Sequence, residues 1–146
     1  MKFSRAFTMV ELVFVIVILG ILAAVALPKF ADTREQADIA KGRGDVATIR
    51  AAIMNERQAR VIKGDSSWIQ NGTASGEMDK GGNDRLFGGV LTYPMTNSAT
   101  AGNWSATAGS GTYKYKVGDS ENTFTYTSND GKFLCTSGNE CSNLAD

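Results

Sequence analysis

The sequence predicts an α+β fold in which one long amino-terminal helix precedes a small antiparallel sheet. Three observations carry this expectation. Leu12 to Leu27 is an uninterrupted apolar run, the residues after Pro28 switch to helical periodicity, and the last third of the chain alternates apolar and polar side chains between turn-forming clusters. A length of 146 residues fits one domain of ordinary size with an appended segment.

The apolar run, LVFVIVILGILAAVAL, holds 16 residues and no charge, and counting back to Phe7 adds a single ionisable side chain, Glu11. As a helix, Phe7 to Leu27 extends about 30 Å, the thickness of a bilayer core. Lys2 and Arg5 precede it without any acid. Three readings fit: a cleaved secretory signal with Ala24-Val25-Ala26 as an A-x-A site, an uncleaved single-span anchor, or an anchor whose carboxylate has a function. Glu11 separates them, because a carboxylate in a membrane helix costs roughly 2.5 to 3.5 kcal/mol near the centre, less toward an end, and needs a partner. Neither of the first two readings gives it one.

Gly20 and Pro28 are the weak points of this segment. Gly costs about 1 kcal/mol relative to Ala in a helix interior, and Pro removes a hydrogen bond and crowds the preceding turn. Beyond Pro28, Ile39, Val46, Ile49 and Ile53 recur at spacings of seven, three and four, a single apolar stripe. The opposite face is assigned Arg34, Glu35, Asp38, Lys41, Asp45 and Arg50, and the helix is expected to stop before Gly64-Asp65-Ser66.

Residues 64–111 read as a long connection punctuated by Gly, Asn, Ser and Thr, with Trp68, Ile69, Met78, Leu86, Phe87, Val90, Leu91, Tyr93 and Trp104 as anchors onto the head. Three strands follow at 112–117, 122–127 and 132–135, separated by Gly118-Asp119-Ser120-Glu121 and Ser128-Asn129-Asp130-Gly131. They predict a three-stranded meander whose apolar face is covered by the helix stripe.

Composition removes most chemistry. There is no His, hence no usual triad base and no commonest zinc ligand, and two Cys cannot build a four-thiolate site. The 15 basic and 15 acidic side chains cancel, but unevenly: residues 1–6 carry +2, residues 29–63 carry +3 and residues 64–146 carry −4. A formally neutral chain with an acidic head is not built to neutralise phosphates, so no nucleic-acid partner is predicted. Lys114 and Lys116 share a strand face, which suits a guard against edge pairing. No enzyme activity and no cofactor are expected.

Lys2-Phe3-Ser4-Arg5-Ala6, then Phe7-Thr8-Met9-Val10-Glu11-Leu12, then the apolar run with Gly20 and Pro28, resembles the amino-terminal segment of type IV pilins and of type II secretion pseudopilins. The resemblance implies a pilin-like α+β fold: a leader (1–6), a membrane and filament-core helix (7–28), an amphipathic helix (29–63), a variable region (64–111) and a sheet with a carboxyl-terminal loop (112–146). It implies cleavage by prepilin peptidase between Ala6 and Phe7 and N-methylation of Phe7, with Ala6 standing where the family usually has Gly. It further implies that Glu11 pairs with the Phe7 amine of a neighbouring subunit, and that Gly20 and Pro28 let the helix bend or melt. The partners implied are identical or related subunits, the peptidase, an inner-membrane assembly platform and lipid. The amino terminus is then cytoplasmic and the head periplasmic, before assembly into a secretion pseudopilus or a pilus serving DNA uptake, adhesion or twitching. A protein released by cleavage after Ala26 is the rival.

With the head outside the membrane, an oxidising compartment makes a Cys135–Cys141 disulfide the first expectation. Further soft ligands for a metal are lacking, and the spacing is not C-x-x-C. Major pseudopilins hold calcium in an acidic carboxyl-terminal loop, which makes Asp119, Glu121, Asp130 and Glu140 weak calcium candidates here, since they form no dense ligand pattern.

Overall fold

A computed structural model of the chain describes residues 7–71, 77–81, 84–107 and 109–145. The chain divides into two compact units, Met1–Arg34 and Glu35–Asp146. Helix α1 (Met9–Ile62) contributes to both and continues through Pro28.

In the second unit, the buried residues of α1 are Gly42, Val46, Ile49 and Ile53, with Ile39 packed beside them. Gly42 lets the helix approach the sheet: a Cβ there would lie 2.5 Å from the Tyr115 ring and 2.6 Å from Leu144. The helix ends at Ile62, and Gly64 adopts φ 88° just beyond, the left-handed stop that glycine permits.

The sheet has four strands, one more than the alternation predicts. β3 (Trp104–Ala106), β4 (Thr112–Val117), β5 (Ser120–Thr127) and β6 (Lys132–Ser137) are antiparallel in the order β3-β4-β5-β6. A separate two-stranded ribbon pairs β1 (Arg85–Leu86) with β2 (Met95–Thr96). Helix α2 (Cys141–Ala145) closes the chain. β3 is three residues of small and polar composition around Trp104, too short to show a period of two.

The inner face of the sheet is aromatic. Trp104, Tyr113, Tyr115, Phe124, Tyr126 and Phe133 are all buried under the α1 stripe. Phe87 joins them, stacked on Tyr113 at 4.4 Å and edge-on to Trp104 at 5.8 Å. Such ring pairs contribute about 0.5 to 1.5 kcal/mol each beyond burial. Burial pushes the Tyr126 hydroxyl up to about 12, and that hydroxyl donates to the Ile69 carbonyl at 2.9 Å.

The expected opposite face of α1 is corrected by the contacts. Lys41 donates to the Gly102 carbonyl; Asp45 accepts from Trp104 Nε1 at 3.0 Å; Arg50 donates to the Phe133 and Ala145 carbonyls at 3.1 and 3.0 Å; the Asp38 carbonyl accepts from Tyr115 Oη at 2.7 Å. At 100° per residue Glu35, Asp38 and Asp45 lie within about 80° of the stripe, so they rim the helix–sheet contact. Burial raises the Asp45 carboxyl above its ordinary value, opposed by the Trp104 hydrogen bond and the Lys41 charge.

The region between helix and sheet is tied down at Asp79, which ends a 3₁₀ turn (Glu77–Asp79) and is fully buried. Its carboxylate accepts from Phe87 N at 3.0 Å, Gly109 N at 3.2 Å and Tyr113 Oη at 2.9 Å. Burial, followed by the Asp79 charge, pushes the Tyr113 hydroxyl far above its ordinary range. Phe87 has φ 62°, a conformation that costs a bulky residue about 1 to 3 kcal/mol and persists only where its surroundings hold it. Asp79 supplies that hold. Of the expected loop anchors, Ile69, Met78, Leu86, Phe87 and Trp104 are buried and Trp68, Val90 and Leu91 partly so, but Tyr93 is 87% exposed.

Arg60 closes the loop from the helix side, reaching Glu56 at 3.0 Å and Glu77 at 2.7 Å. The Gln70 N–H and then Arg60 hold the Glu77 carboxyl below its ordinary value. A depressed carboxyl stabilises the fold above its unfolded-state value and loses that contribution as pH falls through its folded-state value. The melting-temperature difference between the unaltered chain and Glu77→Gln is therefore expected to be full near pH 7 and to shrink below about pH 4. Asp79→Ala strands three buried donors and is expected to cost about 3 kcal/mol in denaturant unfolding, against about 1 kcal/mol for Tyr113→Phe.

Candidate functional site

The first unit offers no enclosed site. From Phe7 to Arg34 no side chain is buried; Leu12 to Leu19 are 40–65% exposed and Phe7 is 72% exposed. Among the described residues α1 is the one helix long and apolar enough to cross a membrane. A surface this apolar is stable only against lipid or other apolar helices.

The start of α1 is specified locally. Thr8 is the cap: its Oγ1 accepts from the Glu11 backbone N–H at 3.2 Å, and its carbonyl accepts from Leu12 N at 3.1 Å. Thr8-Met9-Val10-Glu11 has the T-x-x-E spacing of a capping box, a signal for Thr8 that a focus on Glu11 alone passes over. The Glu11 carboxylate lies in the first turn, where the helix dipole favours an anion. Among the described residues it has no side-chain partner. Lys29, the next basic residue, is 18 positions along, about 27 Å in a helix. Along this helix, therefore, no cation after Glu11 lies within its reach.

Ala6 lies outside the described residues, so the proposed cleavage junction is described only on its Phe7 side. A Cβ at Gly20 would meet nothing within 4 Å, so contacts within the subunit do not require glycine there. Pro28 lies inside the helix.

At the other end, Cys135 and Cys141 form the expected disulfide, with Cα atoms 5.5 Å apart. It joins β6 to the start of α2. Buried Asn122 reinforces the closure, its Oδ1 accepting from Glu140 N at 2.9 Å. Sequence reasoning passed over Asn122 and Asp79, because a polar residue destined for burial carries no local mark. Arg43 adds hydrogen bonds to the Asn143 carbonyl at 3.0 and 2.7 Å.

The four weak calcium candidates are not brought together. Glu121 pairs with Lys114 at 2.7 Å and Asp130 with Lys132 at 3.0 Å. Glu140 accepts from Asn143 Nδ2 at 2.7 Å, and Asp119 lies in the β4–β5 turn. Among the described residues no three such ligands cluster.

An exposed apolar helix with one unpartnered carboxylate, continuing into a helix-on-sheet head closed by a disulfide, defines a membrane-anchored subunit of the pilin class. Comparison with known proteins agrees. A model of the prokaryotic N-terminal methylation motif matches residues 1–27. The chain is 31% identical over 114 residues to the type IV major alpha-pilin of Moraxella bovis, covering 75% of this chain and 71% of that one. It is 45% identical over 49 residues to the type IV narrow pilus major component PilA5 of Thermus thermophilus, 34% of this chain and 42% of that protein. Identity to the type II secretion system core protein G of Pseudomonas aeruginosa is 43% over 50 residues, 34% of this chain and 35% of the other. The last two matches thus span less than half of those relatives. No solved structure matches. The chain belongs to the type IV pilin and pseudopilin family.

The disulfide closes only a short loop, so Cys135→Ser with Cys141→Ser is expected to cost about 2 kcal/mol. Hydrogen exchange checks its locality: protection should fall in 138–145 and persist in β4 and β5.

Proposed function

We propose that this chain is a structural subunit of a type IV pilus-like filament. It is made as an inner-membrane precursor with Lys2 and Arg5 on the cytoplasmic side, in keeping with the positive-inside rule. Prepilin peptidase cuts between Ala6 and Phe7, and Phe7 becomes the N-methylated amino terminus. The subunit then leaves the bilayer through an inner-membrane assembly platform, and its apolar helix passes from lipid into the filament core. It performs no chemistry itself.

The observation that carries this reading is Glu11, which has no side-chain partner among the described residues, in the apolar first part of α1, where no side chain from Phe7 to Arg34 is buried. Cleavage creates a cation four residues away from Glu11 in sequence, the Phe7 amine. In a neighbouring subunit displaced by roughly 6 Å along the axis, that amine comes level with Glu11. Each subunit then offers an amine in one direction and a carboxylate in the other, a head-to-tail contact that propagates as a helix when it does not close into a ring. Gly20 and Pro28 suit this account as the least stable helical segment, available to bend or melt during transfer.

Coverage favours a type IV pilus over a secretion pseudopilus: the alpha-pilin match extends over 75% of the chain, the protein G match over 34%. A pseudopilus supporting protein secretion is the second reading, carried by the protein G match. Motility, adhesion and DNA uptake are uses of the first. Calcium at Asp119, Glu121, Asp130 or Glu140 is not part of the proposal.

Intact-mass analysis of the native protein tests processing: a mature chain beginning at methylated Phe7 is expected, and one beginning at Leu27 would sink the proposal. Glu11→Ala is expected to leave the precursor in the membrane at normal levels while lowering its incorporation into sheared filaments at least tenfold. Unimpaired assembly would remove Glu11 from the account.

A further inference from the structure

Helix α1 begins two residues after the junction at which the leader is proposed to be cut. Phe7 and Thr8 are exposed and non-helical, and Met9 is the first helical residue. Thr8 fixes that start. Its Oγ1 accepts from the Glu11 backbone N–H at 3.2 Å, while its carbonyl accepts from Leu12 N at 3.1 Å. In an α-helix each N–H reaches the carbonyl four residues back, so a helix continued upstream by one step would need the Glu11 N–H on the Phe7 carbonyl. A second step would put the Val10 N–H on the Ala6 carbonyl, which is the carbonyl of the scissile peptide. The Thr8 hydroxyl occupies the donor that the first of these steps requires.

Upstream of Thr8 the sequence favours continuation. Ala6 is of the strongest helix-forming type, and the next side chain suited to a cap is Ser4. A helix started at Ser4 would enclose Arg5, Ala6 and Phe7. Lengthening an existing helix also avoids the cost of a new nucleus, since each further residue adds one bond. The cap at Thr8 therefore decides on which side of the helix boundary the junction falls.

Hydrolysis of the junction adds water across the Ala6–Phe7 peptide. The hydroxyl stays on the Ala6 carbonyl carbon as the C–N bond breaks, and the hydrogen goes to the Phe7 nitrogen, which becomes the new amine. An enzyme must reach that carbon and bond the backbone groups around it, and a helix commits those groups to its own ladder. We infer that Thr8 is a positioning residue for leader removal: by holding the Glu11 N–H it keeps the Ala6–Phe7 peptide outside the helix and open to the peptidase. The inference rests on the processing reading and adds to it a residue that acts on the precursor, through the backbone and not through the Glu11 carboxylate. Without the cap the cleavable form is only a fraction of the precursor, and apparent affinity falls by that fraction. KM then rises while kcat holds.

The test uses the full-length precursor in detergent micelles with purified prepilin peptidase. Thr8→Val keeps the shape of Thr and removes the acceptor; Thr8→Asn changes the shape and restores an acceptor. Thr8→Val is expected to raise KM about fivefold at unchanged kcat, and to move the Phe7 13Cα chemical shift into the helical range. Thr8→Asn should return both to values close to those of the unaltered chain, a rescue that direct reading of the Thr8 side chain by the peptidase does not predict. Three results overturn the inference: Thr8→Val cut as efficiently as the unaltered chain, Phe7 remaining non-helical in Thr8→Val, or Thr8→Asn failing to rescue cleavage. If the unaltered precursor is itself not cut between Ala6 and Phe7, the processing reading fails, and the inference with it.

Discussion

In the proposed filament, one carboxylate sets how the amino-terminal helix must pack. Glu11 lies in the first turn of α1, in a stretch from Phe7 to Arg34 that has no buried side chain, and no cation along that stretch lies within reach. In lipid or in a filament core, where water is scarce, an unpaired carboxylate carries a cost of several kcal/mol. The proposed solution is intermolecular, because the amine freed at Phe7 is the only nearby positive charge that processing creates. Ion pairing then sets register, while the flanking Val, Ile, Leu and Phe side chains supply most of the association energy. The division is physically sensible, since apolar contact is non-directional and a charge pair in a dry setting is highly position-dependent.

The head answers a different requirement, to remain folded while exposed to solvent. Its core is aromatic and packed under three aliphatic residues of α1, with Gly42 permitting close approach. Two buried polar side chains fix the segments that lack regular structure. Asp79 holds the Phe87 turn and the Gly109 region against β4, and Asn122 holds the carboxyl-terminal loop against β5. In both cases a side chain satisfies backbone N–H groups that a loop would otherwise leave buried and unpaired. Loops anchored this way can vary at their exposed positions without loss of the core, which suits a surface that meets neighbours or the environment.

The parts of the molecule legible in the sequence were those with a strong period or a fixed motif. The apolar run, the Val46-Ile49-Ile53 stripe, the strands at 112–117, 122–127 and 132–135 and the Cys135–Cys141 pairing all follow from local pattern and compartment, although β5 starts two residues earlier and β6 runs two residues further than the pattern marks. β3 escaped because three residues cannot display alternation, and its pairing with β4 is a tertiary fact. Asp38, Asp45 and Glu35 were assigned to the wrong side of α1 because charge suggested solvent, whereas their angular positions place them beside the stripe. Asp79 and Asn122 were illegible for a simpler reason: their partners are backbone groups and, for Asp79, also the Tyr113 hydroxyl, at separations of up to 34 positions. Tyr93, expected to anchor the loop, is instead displayed, and only its neighbours Leu91 and Met95 pack inward.

One structure would test the pairing of Glu11 most directly, a cryo-electron-microscopy reconstruction of the filament at side-chain resolution. The account predicts a Glu11 carboxylate oxygen within about 4 Å of the Phe7 amine of an adjacent subunit, the usual limit for an ion pair. A filament built from this chain in which Glu11 faces solvent, or meets only groups of its own subunit, would contradict it.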